Sequence, residues 1–139
     1  MRQAQNIFTI HTQGAGIYEF SASVTRFVSG SGISEGLLTL FCRHTSASLT
    51  VQENADPDVR HDLQEFFARL VKEGEPWYRH VMEGADDMPA HIKSALTDVS
   101  LSIPVSEGRP ALGTWQGIYL FEHRKSAHVR RVTGHIIGG

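Results

Sequence analysis

Four short stretches carry most of the side chains able to do chemistry. His44-Thr45-Ser46-Ala47-Ser48 sets an imidazole and three hydroxyls directly after the apolar run Leu37-Leu38-Thr39-Leu40-Phe41. In an extended chain His44, Ser46 and Ser48 point one way, together with Cys42, while Thr45, Ala47 and Leu49 point the other. Buried hydroxyls and imidazoles need partners, because leaving them unpaired is costly. The row is therefore either a hydrogen-bonded strand edge or one wall of a site. Gln52-Glu53-Asn54-Ala55-Asp56-Pro57-Asp58 combines two jobs. Asp56 and Asp58 are accounted for by helix capping and by the helix dipole. Glu53 and Asn54 are not, and they are the residues here suited to orienting a substrate or moving a proton beside a histidine.

The third stretch runs from His80 through Asp86-Asp87-Met88-Pro89-Ala90-His91. Asp87 and His91 are four apart and share a helix face, and a carboxylate beside an imidazole fixes its tautomer whether the ring binds metal or carries protons. The fourth is Gly113-Thr114-Trp115-Gln116-Gly117-Ile118-Tyr119-Leu120-Phe121-Glu122-His123-Arg124. Alternation there puts Tyr119, Phe121 and His123 on one strand face and Leu120, Glu122 and Arg124 on the other. Lys125, His128, Arg130 and Arg131 follow as a local positive cluster, either meeting phosphate or forming a solvated strand end. His-Glu-x-x-His, paired Cys-x-x-Cys, GxGxxG and Walker patterns are all absent. No nucleophile elbow surrounds Ser46 or Ser48, which argues against a serine hydrolase.

The elements needed to position these residues can be read from periodicity. Strands are expected over Asn6 to Thr12, Ile17 to Phe20, Gly36 to Arg43, Ala47 to Gln52, Val99 to Val105, Gly117 to His123 and Val129 to Ile137. Helices are expected over Ser21 to Phe27, from Asp56-Pro57 to about Lys72, and from Asp87-Met88-Pro89 onward through Ile92, Ala95 and Leu96. Strands and helices do not alternate regularly, so the expected class is α+β in a single domain over residues 1–139. Of the 139 residues, 40% are hydrophobic and 20% charged, enough for a packed core. The 13 Lys+Arg against 15 Asp+Glu leave a net charge of -2, unlike the basic excess of a general nucleic-acid binder. A lone cysteine, Cys42, forms no internal disulfide, the opening residues lack a signal-peptide apolar region, and no stretch is long enough to span a bilayer. The expectation is a cytoplasmic protein that binds neither nucleic acid nor membrane. Eight histidines are many for this length, and histidine is both metal ligand and near-neutral proton carrier.

Taken in order, His44-Thr45-Ser46-Ala47-Ser48, Glu53-Asn54-Ala55-Asp56-Pro57, Glu83-Gly84-Ala85-Asp86-Asp87-Met88-Pro89-Ala90-His91-Ile92-Lys93-Ser94 and Gly113-Thr114-Trp115-Gln116-Gly117-Ile118 with Glu122-His123-Arg124 resemble the signature set of the YjbQ-like family. The resemblance spans essentially the whole chain. Its one departure is Lys125-Ser126-Ala127-His128, which lacks a glycine expected in that loop. The resemblance implies a two-sheet, mostly antiparallel α+β sandwich with flanking helices, assembled as a homotrimer. It implies a weak, secondary thiamine-phosphate synthase activity, and a divalent metal such as zinc held by His44, His91 and His123, with His80 a fourth candidate. Three imidazole nitrogens plus water would suit an open catalytic zinc site. Glu53, Asn54, Asp87 and Arg124 are then the expected catalytic residues. Thr45, Ser46, Ser48, Thr114 and Gln116 are the expected contacts to a bound cofactor or small phosphorylated substrate. Two other functions fit the same residues: metal-assisted hydrolysis of another substrate, and a non-enzymatic trimeric protein that binds metal or ligand.

Overall fold

The computed structural model describes residues 1–139. Eleven elements follow one another: β1 (Arg2–Thr12), β2 (Gly16–Glu19), α1 (Ser21–Gly30), β3 (Gly36–Cys42), β4 (Ala47–Glu53), α2 (Pro57–Leu70), α3 (Asp87–Leu96), β5 (Ser100–Ser106), β6 (Arg109–Pro110), β7 (Gln116–Glu122) and β8 (His128–Gly138). The strands make a five-stranded sheet, β1-β8-β3-β5-β6, and a three-stranded sheet, β2-β7-β4. Every pairing is antiparallel. The class is α+β, a sandwich of two sheets with helices packed outside.

One core joins the sheets. Leu38, Leu40, Val132 and Ile136 of the larger sheet and Leu49, Ile118 and Leu120 of the smaller are fully buried in a single cluster that also takes Val24 and Val28 of α1. Alternation dictates this, since residues two apart on a pleated strand share a face. The opposite face of the larger sheet has no helix over it. There Ile7, Phe41, Leu37, Ile137 and Val129 stay 38 to 50% exposed among threonines and polar residues.

Helix α2 starts where local chemistry says it should. Pro57 occupies the first turn and the Asp56 carboxylate accepts from Asp58 N at 2.9 Å. Its apolar stripe is thin, however, and none of its residues is fully buried. Phe67 reaches the smaller sheet in an edge-to-face contact with Phe121 at 5.4 Å, and Arg60 Nη1 donates to Tyr119 OH at 3.2 Å. The helix therefore stands off the sheet and leaves a cavity beneath it. Two elements differ from expectation. β1 begins at Arg2 rather than Asn6, because its first residues, Arg2 to Gln5, pair in register with Gly138 to His135 of β8. β6 has only two residues and no pattern of its own, and it exists through pairing with Val105 and Ser106.

Candidate functional site

The start of α3 and the loop before it bring three ligand groups together. The ligand atoms of His80, Asp87 and His91 lie within 4.8 Å of one another. Both imidazoles use Nε2 toward one carboxylate oxygen: His80 at 2.6 Å and His91 at 3.1 Å from Asp87 Oδ2. The His91 ring is oriented from its other side, where Nδ1 donates to Thr45 O at 2.8 Å. A carbonyl only accepts, so the neutral ring carries its proton on Nδ1 and turns a bare Nε2 lone pair toward the carboxylate. Two electron-rich atoms that close require a cation between them, whether a proton or a metal ion.

Arg124 holds the carboxylates in place. Its Nη1 donates to Asp87 Oδ1 at 2.7 Å, its Nε to Asp86 Oδ2 at 2.9 Å and its Nη2 to Glu83 O at 3.0 Å. Burial alone would raise the Asp87 carboxyl, but the His80 bond, His91 and Arg124 together hold it below the usual carboxylate range. Asp86 behaves the same way, with Arg124 and the Lys125 amide outweighing burial. The guanidinium is thereby committed to protein groups. It positions Asp86 and Asp87 and does not reach out to meet an incoming phosphate.

The expected trio of imidazoles does not meet within the subunit. Only His91 belongs to the cluster above, and its companion is His80. His44 Nε2 accepts from the Arg131 amide at 2.8 Å, on β8 just past the end of β3. His123 is 3% exposed and places Nε2 2.8 Å from Ser48 Oγ. Ser46 and Ser48 also part company: Ser48 meets His123 on the outer face of the smaller sheet, while Ser46 Oγ accepts from Arg130 Nη2 at 3.0 Å between the sheets. Residues 43–46 form a bend, so the strand alternation that would have aligned them begins only at Ala47. Cys42 is likewise a core residue, its thiol pushed up by burial. Thr45 contributes its backbone carbonyl to His91.

The other expected residues sit elsewhere. Glu53 Oε2 accepts from the amides of Ala55 and Asp56 at 3.0 and 2.7 Å, which makes it part of the turn into α2. Asn54 Nδ2 donates to Gln116 O at 3.4 Å, and Gln116 Oε1 accepts from Gly113 N at 2.7 Å, with Thr114 exposed in the same turn. These residues gather at the Gln116 end of β7, and Arg124 lies beyond its other end, past a strand about 20 Å long at ~3.3 Å per residue. The positive cluster after β7 divides too: Lys125 and Arg131 are exposed, but Arg130 is 4% exposed and bonded to Glu122.

Residues 6–139 match the family described as UPF0047 protein YjbQ-like, and the chain belongs to that family. It is 55% identical over 137 residues to UPF0047 protein sll1880 of Synechocystis, covering 99% of this chain and 93% of that one. It is 44% identical to UPF0047 protein YjbQ of Salmonella typhimurium, covering 96% and 97%. Among solved structures, an uncharacterised YjbQ/UPF0047 protein from Clostridium acetobutylicum superposes with a TM-score of 0.87 at 35% identity, covering 95% and 99%. Hypothetical protein APE1520 from Aeropyrum pernix gives 0.88 at 31% identity, covering 98% and 99%. No helix is long and apolar enough to cross a membrane.

Proposed function

We propose that this chain is a metal-dependent enzyme acting on phosphorylated small molecules, with one divalent metal ion held by His80, Asp87 and His91. The observation that carries the reading is the shared oxygen: two Nε2 atoms at 2.6 and 3.1 Å from Asp87 Oδ2, one of them on a ring whose tautomer Thr45 fixes. The donor set fits the ion. Two imidazole nitrogens and a carboxylate oxygen are ligand types that zinc takes, with bonds of about 2.0–2.1 Å. Tetrahedral ligand atoms would then lie roughly 3.3 Å apart, so His80 Nε2 and Asp87 Oδ2, 2.6 Å apart, would separate to hold the ion. Three protein ligands leave a coordination position open, and a bound ion would supply Lewis-acid polarisation of a substrate oxygen. Arg124 and the Thr45 carbonyl act as orienting groups for the ligands themselves. A weak thiamine-phosphate synthase reaction, implied by the family resemblance, belongs to this reading as one activity of the site.

Calorimetric titration of the chelator-treated protein with Zn²⁺ should show one ion per chain, and Asp87→Asn should weaken binding by at least tenfold. Absence of stoichiometric binding would remove the metal. Given binding, the zinc-loaded protein should join a pyrimidine diphosphate to a thiazole phosphate, or hydrolyse members of a phosphate-ester panel, faster than His91→Ala. Stoichiometric binding with no turnover on either set would favour a metal-binding protein without catalysis.

The same proposal includes a homotrimer in a reducing cytoplasm, where the free buried thiol of Cys42 fits. The uncovered face of the larger sheet supports self-association, since Ile7, Phe41 and the paired Leu37 and Ile137 stay exposed on it with no helix above them. Light scattering on the eluting protein should give three times the chain mass, and Phe41→Glu should lower it. A monomeric wild type would defeat the assembly.

A further inference from the structure

The cavity beneath α2 has chemistry of its own. Its volume is about 510 Å³, within the usual range for small-molecule sites. Phe67 and Phe121 give it an apolar wall. Helix α3 contributes Pro89 and Lys93 to it, whereas Asp87 and His91 of the same helix form the His–Asp–His cluster. Asp87 and Pro89 are two residues apart, a rotation of about 200° at 3.6 residues per turn, so one helix serves two separate places.

The buried imidazole of His123 borders this cavity, and its Nδ1 has neither a hydrogen-bond partner nor appreciable exposed surface, so a ligand reaches it only as the side chains over it move aside. A chain of hydroxyls decides what that nitrogen is. Thr97 Oγ1 lies 2.7 Å from Lys93 O and 2.6 Å from Ser48 Oγ, and Ser48 Oγ lies 2.8 Å from His123 Nε2. The carbonyl can only accept, so it takes the single Thr97 proton. Ser48 then donates to Thr97, and His123 Nε2–H donates to Ser48. Nδ1 is left as a bare lone pair, an acceptor without a donor. Burial, reinforced by the Lys93 charge, keeps the ring neutral and its pKa lowered to about 3.

The cavity wall carries four carboxylates and three lysines, and two of the lysines are left without a carboxylate partner. Each lining carboxylate already has a cation: Glu65 has Arg69, Glu73 has Lys125, Asp86 has Arg124 and Glu122 has Arg130. Lys93 and Lys72 also line the cavity, and neither forms a salt bridge. Lys93 is half-buried in the cavity wall with no carboxylate bonded to it, so an anion in the cavity would give it a partner.

We infer that the cavity is a second, metal-independent site for a small organic acid that carries a hydroxyl beside its carboxylate or phosphate. The hydroxyl donates to His123 Nδ1, Lys93 and Lys72 meet the acid group, and the carbon skeleton lies on Phe67 and Phe121. An acid without a hydroxyl leaves Nδ1 unpaired and binds less well.

Histidine side-chain ¹⁵N spectra of the chelator-treated full chain test this directly, titrated with glycerate, glycerol phosphate and propionate. The expected result is a saturable shift of the His123 Nδ1 resonance with glycerate or glycerol phosphate, at least tenfold tighter than with propionate. Whichever of the first two binds more tightly identifies the acid group. Lys93→Met, at a half-exposed position that tolerates the change, should weaken binding at least tenfold. His123→Gln still donates to Ser48 through its amide nitrogen but places no acceptor where Nδ1 stood, its Oε1 lying elsewhere, and it should remove the preference for the hydroxy acids. No saturable shift with any of the three, equal affinity for propionate, or unchanged affinity in Lys93→Met would overturn the assignment.

Discussion

Between pH 6.5 and 4.5 the wild-type protein is expected to lose about 2–3 kcal/mol of stability that a His123→Gln variant does not lose. The sign follows from which state binds the proton. In the unfolded chain His123 titrates near the ordinary value of 6.5, whereas in the fold its pKa is lowered to about 3. Across that interval the unfolded state carries one more proton, so stability falls as pH falls, by about 1.4 kcal/mol per unit, and levels off below pH 3. Burial is the main cause, since the ring lies in the wall beneath α2 with Lys93 beside it. His44, also lowered mainly by burial, adds a contribution of the same sign that both proteins share. The depressed carboxyls of Asp86, Asp87 and Glu122 act later. Their contribution is complete above the ordinary carboxylate values and disappears only as pH falls through the lower folded ones. Urea midpoints measured at pH 6.5 and 4.5 separate the two effects. A wild-type loss equal to that of His123→Gln would mean that the ring is charged in the fold.

What could be read in the sequence, and what could not, divides along the range of the interactions. The entry into α2 was legible because Asp56-Pro57 is a local capping signal completed two residues later by Asp58 N. The outward alternation of Tyr119, Phe121 and His123 on β7 was legible because strand period is local as well. Asp87 with His91 was readable from helical spacing; His80 was already the fourth candidate, but nothing along the chain shows that it reaches the same oxygen from the preceding loop. The His123 relay was not readable. Its members Ser48 and Thr97 are 75 and 26 residues away along the chain, and only the docking of α3 against β4 brings the two hydroxyls within 2.6 Å. Lys93 and Asp86 lay inside a motif already quoted, yet nothing in their spacing shows that one is left unpaired and the other bound by Arg124. Glu53, Asn54 and Gln116 show the reverse limit. Polar residues with no evident structural role along the chain proved to be holding one turn together through backbone amides and carbonyls.

Arg130 is the residue whose role changed most, and replacing it with methionine should cost about 3–5 kcal/mol of stability. Sequence places it in a positive run, where charges are normally solvated. The register of β8 turns it to the same side as Val132 and Ile136, into the space between the sheets. There it meets Glu122, which β7 points inward from the other sheet with no exposed surface. Arg130 bonds both carboxylate oxygens of Glu122, Thr12 Oγ1 donates to Oε1 at 2.7 Å, and Ser46 Oγ accepts from Arg130 Nη2. Burial alone would raise the Glu122 carboxyl, and the bonds from Arg130 and Thr12 hold it below its usual range instead. Removing the guanidinium leaves a carboxylate fully buried without a counter-charge, which is where the expected loss comes from. Adding Glu122→Gln to Arg130→Met should recover part of it, because a neutral amide at that position still accepts from Thr12. Chemical denaturation of the single and double variants at neutral pH measures both quantities. A loss below about 1 kcal/mol in Arg130→Met, the size of a surface pair, would show that the pair is solvated and does not link the two sheets.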